Sequence, residues 1–177
     1  MQFKVNQSII EIVQGDITNE TTDAIVNAAN SRLAGGGGVD GAIHKAGGPK
    51  IMEECKKYNG CPTGKAVITS GGNLKTKYVI HTVGPIYSGK EKDAELLSSS
   101  YWESLKLAEA NNITSISFPS ISTGAYGYPI EKASKVALET IINSLKEHTI
   151  INLVRIVLYS EKDLLIYLSN INIYLHL

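Results

Sequence analysis

The hydrophobic and polar positions of the chain alternate between two periodicities, which predicts strands interleaved with helices. Short runs of β-branched or uniformly apolar residues, such as Ala24–Ala28, are typical of buried strands. Longer segments carry apolar residues on one helical face, as residues 130–145 do. The pattern predicts strands at 3–5, 9–13, 24–28, 65–69, 78–83, 115–119 and 154–159, and helices at 39–46, 49–58, 94–110, 130–145 and 161–168.

This order of elements predicts an α/β protein, built as a three-layer α/β/α sandwich around a central mixed, largely parallel sheet. A length of 177 residues fits a single domain, and 43% hydrophobic and 19% charged residues are ordinary for a globular protein. We expect the core of the domain to span about residues 9–168. Residues 169–177 form a C-terminal extension whose alternating pattern permits either a strand or a continuing helix.

Charge and cysteine content argue against several classes of protein. The 17 basic and 17 acidic residues balance, so nothing draws the whole chain toward nucleic acid or an anionic membrane. Cys55 and Cys61 are too few for a disulfide framework, and their spacing matches no zinc signature. The chain has no signal-peptide pattern and no apolar run of membrane-spanning length, so we expect a cytoplasmic protein, with a monomer as the default state.

Four consecutive glycines, Gly35, Gly36, Gly37 and Gly38, connect a predicted strand to a predicted helix. Glycine lets a ligand approach the backbone closely, and the N–H groups of such a loop before a helix suit a phosphate. Asp40 follows and places a carboxylate where a bound phosphate and chemistry could meet. The alternative is a flexible linker, but the order strand, loop, helix favours a phosphate site.

Residues 118–129 form a second loop between a predicted strand and a predicted helix. In an open α/β sheet, ligands bind beyond the carboxyl ends of the strands. Two loops rich in small residues and N–H donors could therefore hold a diphosphate from both sides. The alternative is a tight turn at 122–124 without a function, but the two loops together favour a nucleotide site.

A series of short motifs accompanies these loops along the chain. It consists of Gln14-Gly15-Asp16-Ile17-Thr18, Val26-Asn27-Ala28-Ala29-Asn30, residues 35–44, Ala46-Gly47-Gly48-Pro49, Cys61-Pro62-Thr63-Gly64, His81-Thr82-Val83-Gly84-Pro85 and residues 118–129. Any one motif is weak evidence, whereas the ordered series is highly specific. Over roughly residues 9–167 the chain resembles a macrodomain of the MacroD type, close to the bacterial members that hydrolyse ADP-ribose esters.

The resemblance implies a cleft for ADP-ribose, with three residues at its adenine end. Asp16 is similar to the acid of the family that accepts a hydrogen bond from the exocyclic amine of adenine; the alternative role is a cap for the following segment. Ile17 would place a backbone N–H near the base. Tyr159 resembles the aromatic residue that stacks on adenine; the alternative is an ordinary aromatic at a strand end.

The same resemblance assigns residues to the diphosphate and the distal ribose. Asn30 is similar to the asparagine that hydrogen-bonds the distal ribose; the alternative is a left-handed turn residue before the glycines. Tyr126 resembles the aromatic residue that packs on this ribose. The residues implied to surround the diphosphate are Gly35, Gly36, Gly37, Gly38, Val39, Ser122, Thr123, Gly124 and Ala125.

The resemblance also implies catalysis by Asp40, with Asn30 fixing the sugar. Asp40 matches the acid of the MacroD subclass, which would orient or deprotonate a water that attacks an acyl group on the distal ribose. The substrates would be mono-ADP-ribose on protein Asp or Glu side chains, or O-acetyl-ADP-ribose. Alternatively, Asp40 is a carboxylate stabilised by the helix dipole. His44 shares its helix face and could orient it, whereas we interpret His81 as a core histidine.

Two other classes of function stay open. A non-catalytic module would bind ADP-ribose on proteins without turnover, and the presence of Asp40 argues against it. A domain that binds poly-ADP-ribose or RNA is disfavoured by the balanced charge. The sequence contains no recognisable set of metal ligands, so we expect neither a metal nor another cofactor.

Overall fold

Seven strands form one mixed sheet at the centre of the protein, for which a computed structural model describes residues 1–175. The strands are β1 (Gln2–Val5), β2 (Ser8–Gln14), β3 (Ala24–Ala28), β4 (Ala66–Ser70), β5 (Tyr78–Thr82), β6 (Ser115–Phe118) and β7 (Leu153–Leu158). Their order across the sheet is β1-β2-β7-β6-β3-β5-β4. The five inner strands are parallel to one another; they are β2, β7, β6, β3 and β5. The edge strands β1 and β4 are antiparallel to their neighbours.

Helices cover both faces of this sheet. They are α1 (Gly38–Gly47), α2 (Pro49–Cys55), α3 (Glu91–Ala110), α4 (Ile130–Lys146) and α5 (Glu161–Leu175). The helices α3, α4 and α5 pack in a larger apolar core, and α1 and α2 pack in a smaller one. In β3, Ala24 and Val26 face the larger core while Ile25 faces the smaller, so the two cores lie on opposite faces. The fold is therefore the predicted three-layer α/β/α sandwich.

No helix within residues 1–175 combines the length and the apolar character that crossing a membrane requires.

Each predicted strand overlaps an observed one, but the helix predicted at 49–58 is divided. The α-helix ends at Cys55, and Lys56–Tyr58 continue as a 3₁₀ turn. Asn59 then adopts a left-handed backbone with φ 55°. A left-handed residue redirects the chain and stops helical hydrogen bonding, which the apolar pattern of this segment did not reveal.

The last helix extends past its predicted end at residue 168 and includes the extension as far as residue 175. Tyr167 and Ile171 are fully buried in the larger core. Between them, Asn170 Nδ2 donates a hydrogen bond of 2.7 Å to Ser134 Oγ on α4. Residues three and four apart share one helix face, so the extension continues the helix as far as residue 175. Residues 176–177 of the extension lie outside the described part of the chain.

We predict that Ile171→Ala destabilises the protein, because truncation of a fully buried side chain leaves a cavity. The expected loss in the free energy of unfolding is about 2–5 kcal/mol, measured by urea titration with circular dichroism. Ile173→Ala is the matched control on the same helix, because Ile173 is 58% exposed. Its effect should stay within about 0.5 kcal/mol. Equal effects of the two variants would show that this end of α5 does not pack on the core.

Candidate functional site

A cleft lies beyond the carboxyl ends of β3, β6 and β7. It consists of two adjoining cavities: the Asp40 cavity, about 370 Å³, and the Asp16 cavity, about 550 Å³. Because these strands are parallel, the loops that follow them emerge at the same edge of the sheet. The glycine loop (residues 35–38) and the second loop (residues 119–129) therefore meet there. The residues that border both cavities are Gly38, Val39, Ser120 and Gly124.

Asn30 braces the glycine loop and also lines the Asp40 cavity. Its Nδ2 donates to the carbonyl of Gly35 at 2.8 Å, and its Oδ1 accepts from the backbone N–H of Ala34 at 3.1 Å. The left-handed backbone of this turn belongs to Leu33, with φ 54°, and not to Asn30. The interpretation of Asn30 as a left-handed turn residue is therefore wrong, because the chain reverses three residues later.

The glycine loop lies directly against the first turn of α1. Gly41 N donates to the carbonyl of Gly37 at 3.1 Å, and a Cβ at Gly41 would overlap the carbonyl oxygen of Gly36. Within residues 1–175, the backbone N–H groups of residues 36–39 have no protein acceptor. Unpaired N–H groups at a helix N-terminus form an anion-binding site, so the loop presents its donors to the cleft.

Asp40 stands in the first turn of α1, is 7% exposed and lines the cleft. Its Oδ1 accepts from Asn27 Nδ2 at 2.7 Å and lies 3.3 Å from His44 Nε2. Its Oδ2 receives no hydrogen bond from the described residues and lies beside Gly36, 3.4 Å from the position that a Cβ would take there. One carboxylate oxygen is thus anchored, and the other stays free for water or a ligand.

Behind Asp40 lies a buried polar layer, which consists of Asn27, Thr69 and His81. Asn27 on β3 and His81 on β5 are register partners and are fully buried. His81 Nδ1 is 3.1 Å from Asn27 Nδ2, and His81 Nε2 is 2.9 Å from Thr69 Oγ1. Burial, with a smaller effect of nearby His44, lowers the pKa of His81 to about 3. His81 is therefore a neutral, hydrogen-bonded core histidine, as predicted.

His44, Cys55 and His81 bring one potential metal-ligand atom each to within 4.8 Å of one another. Two imidazoles and a thiol would suit a zinc ion, but both ring nitrogens of His81 already have hydrogen-bond partners. Burial, with the negative charge of Asp40 adding to it, raises the pKa of the Cys55 thiol to about 11, which disfavours the thiolate that binds metal. We therefore assign these residues to hydrogen bonding, and the expectation of a metal-free site stays a prediction.

The second loop turns at Ser122, whose backbone is left-handed with φ 67°. Its carbonyl accepts from Tyr128 N at 2.9 Å, while the N–H groups of residues 122–125 have no acceptor in the described part of the chain. Gly84 packs against this turn, since a Cβ at Gly84 would overlap the hydroxyl of Ser122. A left-handed turn with successive unpaired N–H groups is the geometry of an anion-binding nest.

Two buried tyrosines support this loop from below. Tyr101 Oη on α3 accepts from Ile121 N at 3.1 Å, and Tyr167 Oη on α5 is 2.9 Å from Ser120 Oγ. Burial raises the pKa of Tyr167 to about 12 and that of Tyr101 well above its usual range, so both hydroxyls stay protonated. The C-terminal helix is thereby linked to a residue at the boundary between the two cavities.

The Asp16 cavity is lined by Asp16, Ile17 and Tyr159. Asp16 Oδ1 accepts from the backbone N–H of Thr18 at 2.9 Å and from its hydroxyl at 2.7 Å, so it caps the short turn that follows. This leaves Asp16 Oδ2 for a ligand. Tyr159 is 86% exposed, and Asp163 from α5 also lines the cavity. The exposed aromatic side chain can stack on a planar ligand, and the two carboxylates beside it can accept hydrogen bonds from that ligand.

Most residues that the sequence singled out border the cleft. These are Asp16, Ile17, Asn30, Gly36, Gly37, Gly38, Val39, Asp40, Ser122, Thr123, Gly124, Ala125, Tyr126 and Tyr159. Gly35 and His44 do not line it; they stand behind its wall and contact Asn30 and Asp40 respectively.

The sequence reasoning predicted His81 as a core histidine but missed its contacts with Asn27 and Thr69 and the roles of several lining residues. Asn27 gave a signal, because it is a polar residue on the core-facing side of an apolar strand. Thr69 gave none. Further lining residues, to which the sequence analysis gave no individual role, are Gly15, Ala28, Ala29, Ala42, Gly84, Pro119, Ser120, Ile121, Val157, Leu158 and Asp163. The last three lie outside the motifs that carried the resemblance.

Comparison with known proteins agrees with this fold. The Macro domain family model matches residues 26–137. A macro domain-containing protein of Caldanaerobacter subterraneus subsp. tengcongensis is 57% identical over 163 residues, which cover 89% of this chain and 93% of that protein. An O-acetyl-ADP-ribose deacetylase of Escherichia fergusonii is 48% identical over 166 residues, covering 91% and 94%. The chain therefore belongs to the macro domain family.

Solved structures extend this similarity to the whole chain. The G37V variant of the Oceanobacillus iheyensis macrodomain, solved with ADPR, superposes with a TM-score of 0.96 at 46% identity. The superposition covers 100% of this chain and 99% of that one. The fold is therefore that of a bacterial macrodomain.

We predict that acidification destabilises the protein through His81. Its pKa is about 3 in the folded state and about 6.5 in an unfolded chain. Below about pH 6.5 the unfolded state therefore binds a proton that the folded state does not. The free energy of unfolding should fall by about 1.4 kcal/mol per pH unit from about pH 6.5 toward pH 3. Above pH 6.5 the contribution of His81 is constant.

Urea titrations between about pH 7 and 5 measure this slope, in a range where unfolded carboxylates change little. His81→Gln should reduce the slope by about 1.4 kcal/mol per pH unit, because the unfolded state then takes up one proton fewer. His148→Gln, at an exposed histidine, is the control. A slope that survives in His81→Gln would show that another group takes up the proton.

Proposed function

We propose that this protein binds ADP-ribose in the cleft and hydrolyses acyl esters at its distal ribose. The observation that carries the proposal is the arrangement at Asp40, a buried carboxylate with one anchored oxygen and one free oxygen beside unpaired N–H groups. The substrates are mono-ADP-ribose esters of protein Asp or Glu side chains, O-acetyl-ADP-ribose, or both. The name of the Escherichia fergusonii relative, an O-acetyl-ADP-ribose deacetylase, supports this assignment.

The diphosphate would lie between the two loops. Residues 36–39 and 122–125 both offer unpaired backbone N–H groups at this edge of the sheet. Such donors, with the positive end of the α1 dipole, bind phosphate without a cationic side chain. Two adjoining cavities of about 370 and 550 Å³ suit an elongated ligand with a sugar at one end and a base at the other.

The adenine would occupy the Asp16 cavity. The free Oδ2 of Asp16 would accept from the exocyclic amine, and the exposed ring of Tyr159 would stack on the base. Base stacking on an aromatic side chain is worth about 1–3 kcal/mol in nucleic-acid sites. The distal ribose would then reach the Asp40 cavity, where Tyr126 and Asn30 also line the wall.

The reaction would begin with a water bound to Asp40 Oδ2. Asp40 accepts a proton as the water oxygen bonds to the acyl carbon, and the bond from that carbon to the ribose oxygen then breaks. The proton passes to the ribose oxygen, which leaves a free carboxylic acid and ADP-ribose. Asn30 holds the sugar, and the contacts of Oδ1 with Asn27 and His44 keep the carboxylate in place.

We predict that Asp40→Asn retains ADP-ribose binding and loses hydrolysis of O-acetyl-ADP-ribose by about 10²–10⁴-fold, as expected when a general base is removed. Release of ADP-ribose by chromatography and binding by calorimetry are the measurements. Glu91→Gln is the control, because Glu91 is an exposed carboxylate in the first turn of another helix. Wild-type turnover in Asp40→Asn would refute the assignment. Binding without turnover in the wild type would instead make the protein a non-catalytic reader of ADP-ribose.

We predict that Gly41→Ala weakens ADP-ribose binding, because the added methyl group forces the Gly36 carbonyl out of its place. Loss of one phosphate hydrogen bond corresponds to roughly a 10- to 150-fold rise in Kd. Helix propensity alone favours alanine over glycine, so it would not explain the loss. Ala46→Ser adds one atom at an exposed position of the same helix and serves as the control. Unchanged affinity in Gly41→Ala would mean that the glycine loop does not bind the diphosphate.

A further inference from the structure

The buried polar layer has a defined direction of hydrogen bonding, which starts at Thr69. Thr69 Oγ1 lies 3.0 Å from the carbonyl oxygen of Ser70, which can only accept. The single hydroxyl proton of Thr69 therefore goes to Ser70, and its oxygen accepts from His81 Nε2–H at 2.9 Å. This contact and that of Nε2 with Cys55 Sγ at 3.7 Å, whose sulfur can also accept, favour the Nε2–H tautomer of His81.

The tautomer in turn fixes the orientation of the Asn27 amide. With the proton on Nε2, His81 Nδ1 can only accept, and it does so from Asn27 Nδ2 at 3.1 Å. The other proton of the same amide nitrogen goes to Asp40 Oδ1 at 2.7 Å. Both protons of one NH₂ group are therefore used, one for the histidine and one for the carboxylate.

The reverse orientation would place Asn27 Oδ1 against Asp40. In the observed orientation, Oδ1 is buried and has no partner within residues 1–175. The site therefore keeps an unsatisfied acceptor so that the amide nitrogen can face the carboxylate. A change of His81 to the Nδ1–H tautomer would favour the flipped amide, whose oxygen would repel the charged form of Asp40.

We infer that Thr69 and His81 are positioning residues, which fix the His81 tautomer and thereby hold the Asn27 amide as a donor to Asp40. This inference rests on the proposed function, in which Asp40 acts on the attacking water. Thr69 is on β4, is 4% exposed and does not line the cleft, so it acts through His81 and Asn27 rather than on the substrate.

The titratable groups that the described residues place around Asp40 are His44 from α1, Cys55 from α2 and His81 from β5. The neighbour from β3, Asn27, does not titrate. Replacement of Thr69 leaves all these groups in the chain, so a changed pH dependence reports the orientation of the amide.

The test compares Thr69→Val, which removes the hydroxyl and keeps the shape, with Thr69→Ser, which keeps the hydroxyl. With O-acetyl-ADP-ribose as substrate, Thr69→Val should lower kcat by about 10-fold or more, as for other groups that orient a site residue. The acidic limb of its pH–rate profile should move to higher pH, because the flipped amide presents its oxygen instead of its N–H to the carboxylate. The Kd for ADP-ribose should change by less than about twofold, and Thr69→Ser should restore kcat and the profile.

A second readout does not depend on activity. Ring ¹⁵N chemical shifts should show protonated Nε2 and unprotonated Nδ1 for His81 in the wild type, with the resonances assigned by their absence in His81→Gln. A wild-type Nδ1–H tautomer would overturn the inference. The inference would also be overturned if Thr69→Val kept the kcat and the pH–rate profile of the wild type. Equal losses of kcat in Thr69→Val and Thr69→Ser would overturn it as well.

Failure of the proposed function would give a different result. In that case the wild type would bind ADP-ribose without turnover, or Asp40→Asn would turn over as the wild type does. Failure of this inference alone leaves the wild type active, Asp40→Asn inactive and Thr69→Val active. The melting temperature of each variant is measured alongside. A lower melting temperature in Thr69→Val with kcat and profile unchanged assigns Thr69 a purely structural role and also overturns the inference.

Discussion

Burial of a carboxylate requires hydrogen-bond donors around it, and the surroundings of Asp40 are built to meet that requirement. Asp40 is 7% exposed, so its Oδ1 depends on Asn27 below it and on His44 one turn along α1. Asn27 in turn needs a partner for its second proton, which His81 provides from the adjacent strand. The hydrogen bonds that the Asp40 carboxylate requires thus explain why polar residues occupy an otherwise apolar face of the sheet.

Close approach of backbone segments is the second constraint on the site. Gly41 lets the glycine loop lie on α1, and Gly84 lets the second loop turn at Ser122. In both places a side chain would occupy the position of a backbone or hydroxyl oxygen. The result is two sets of unpaired N–H groups at one edge of the sheet. Unpaired backbone donors cost stability without a partner, and sites that bind anions commonly retain them.

The C-terminal part of the chain completes the cleft. Tyr159 follows β7, Asp163 lies in the first turn of α5, and Tyr167 supports Ser120 from the core. The helix that carries these residues is anchored by the buried Ile171. Packing in the larger core therefore positions both the Asp16 cavity and the support of the second loop. The residues of this C-terminal part are more than 100 positions from Asp40 in the chain.

The sequence by itself determined the order of strands and helices, the two loops and the helical pairing of Asp40 with His44. These features follow from local periodicity, from glycine and from spacing along one helix. Tertiary structure decided the contact of Asn27 with Asp40, the link from His81 to Thr69, the bracing of the loop by Asn30 and the burial of α5 past residue 168. These depend on strand register and on packing between segments distant in sequence. The same polar residue can face a core, a cleft or solvent until the neighbouring strand and helix are in place.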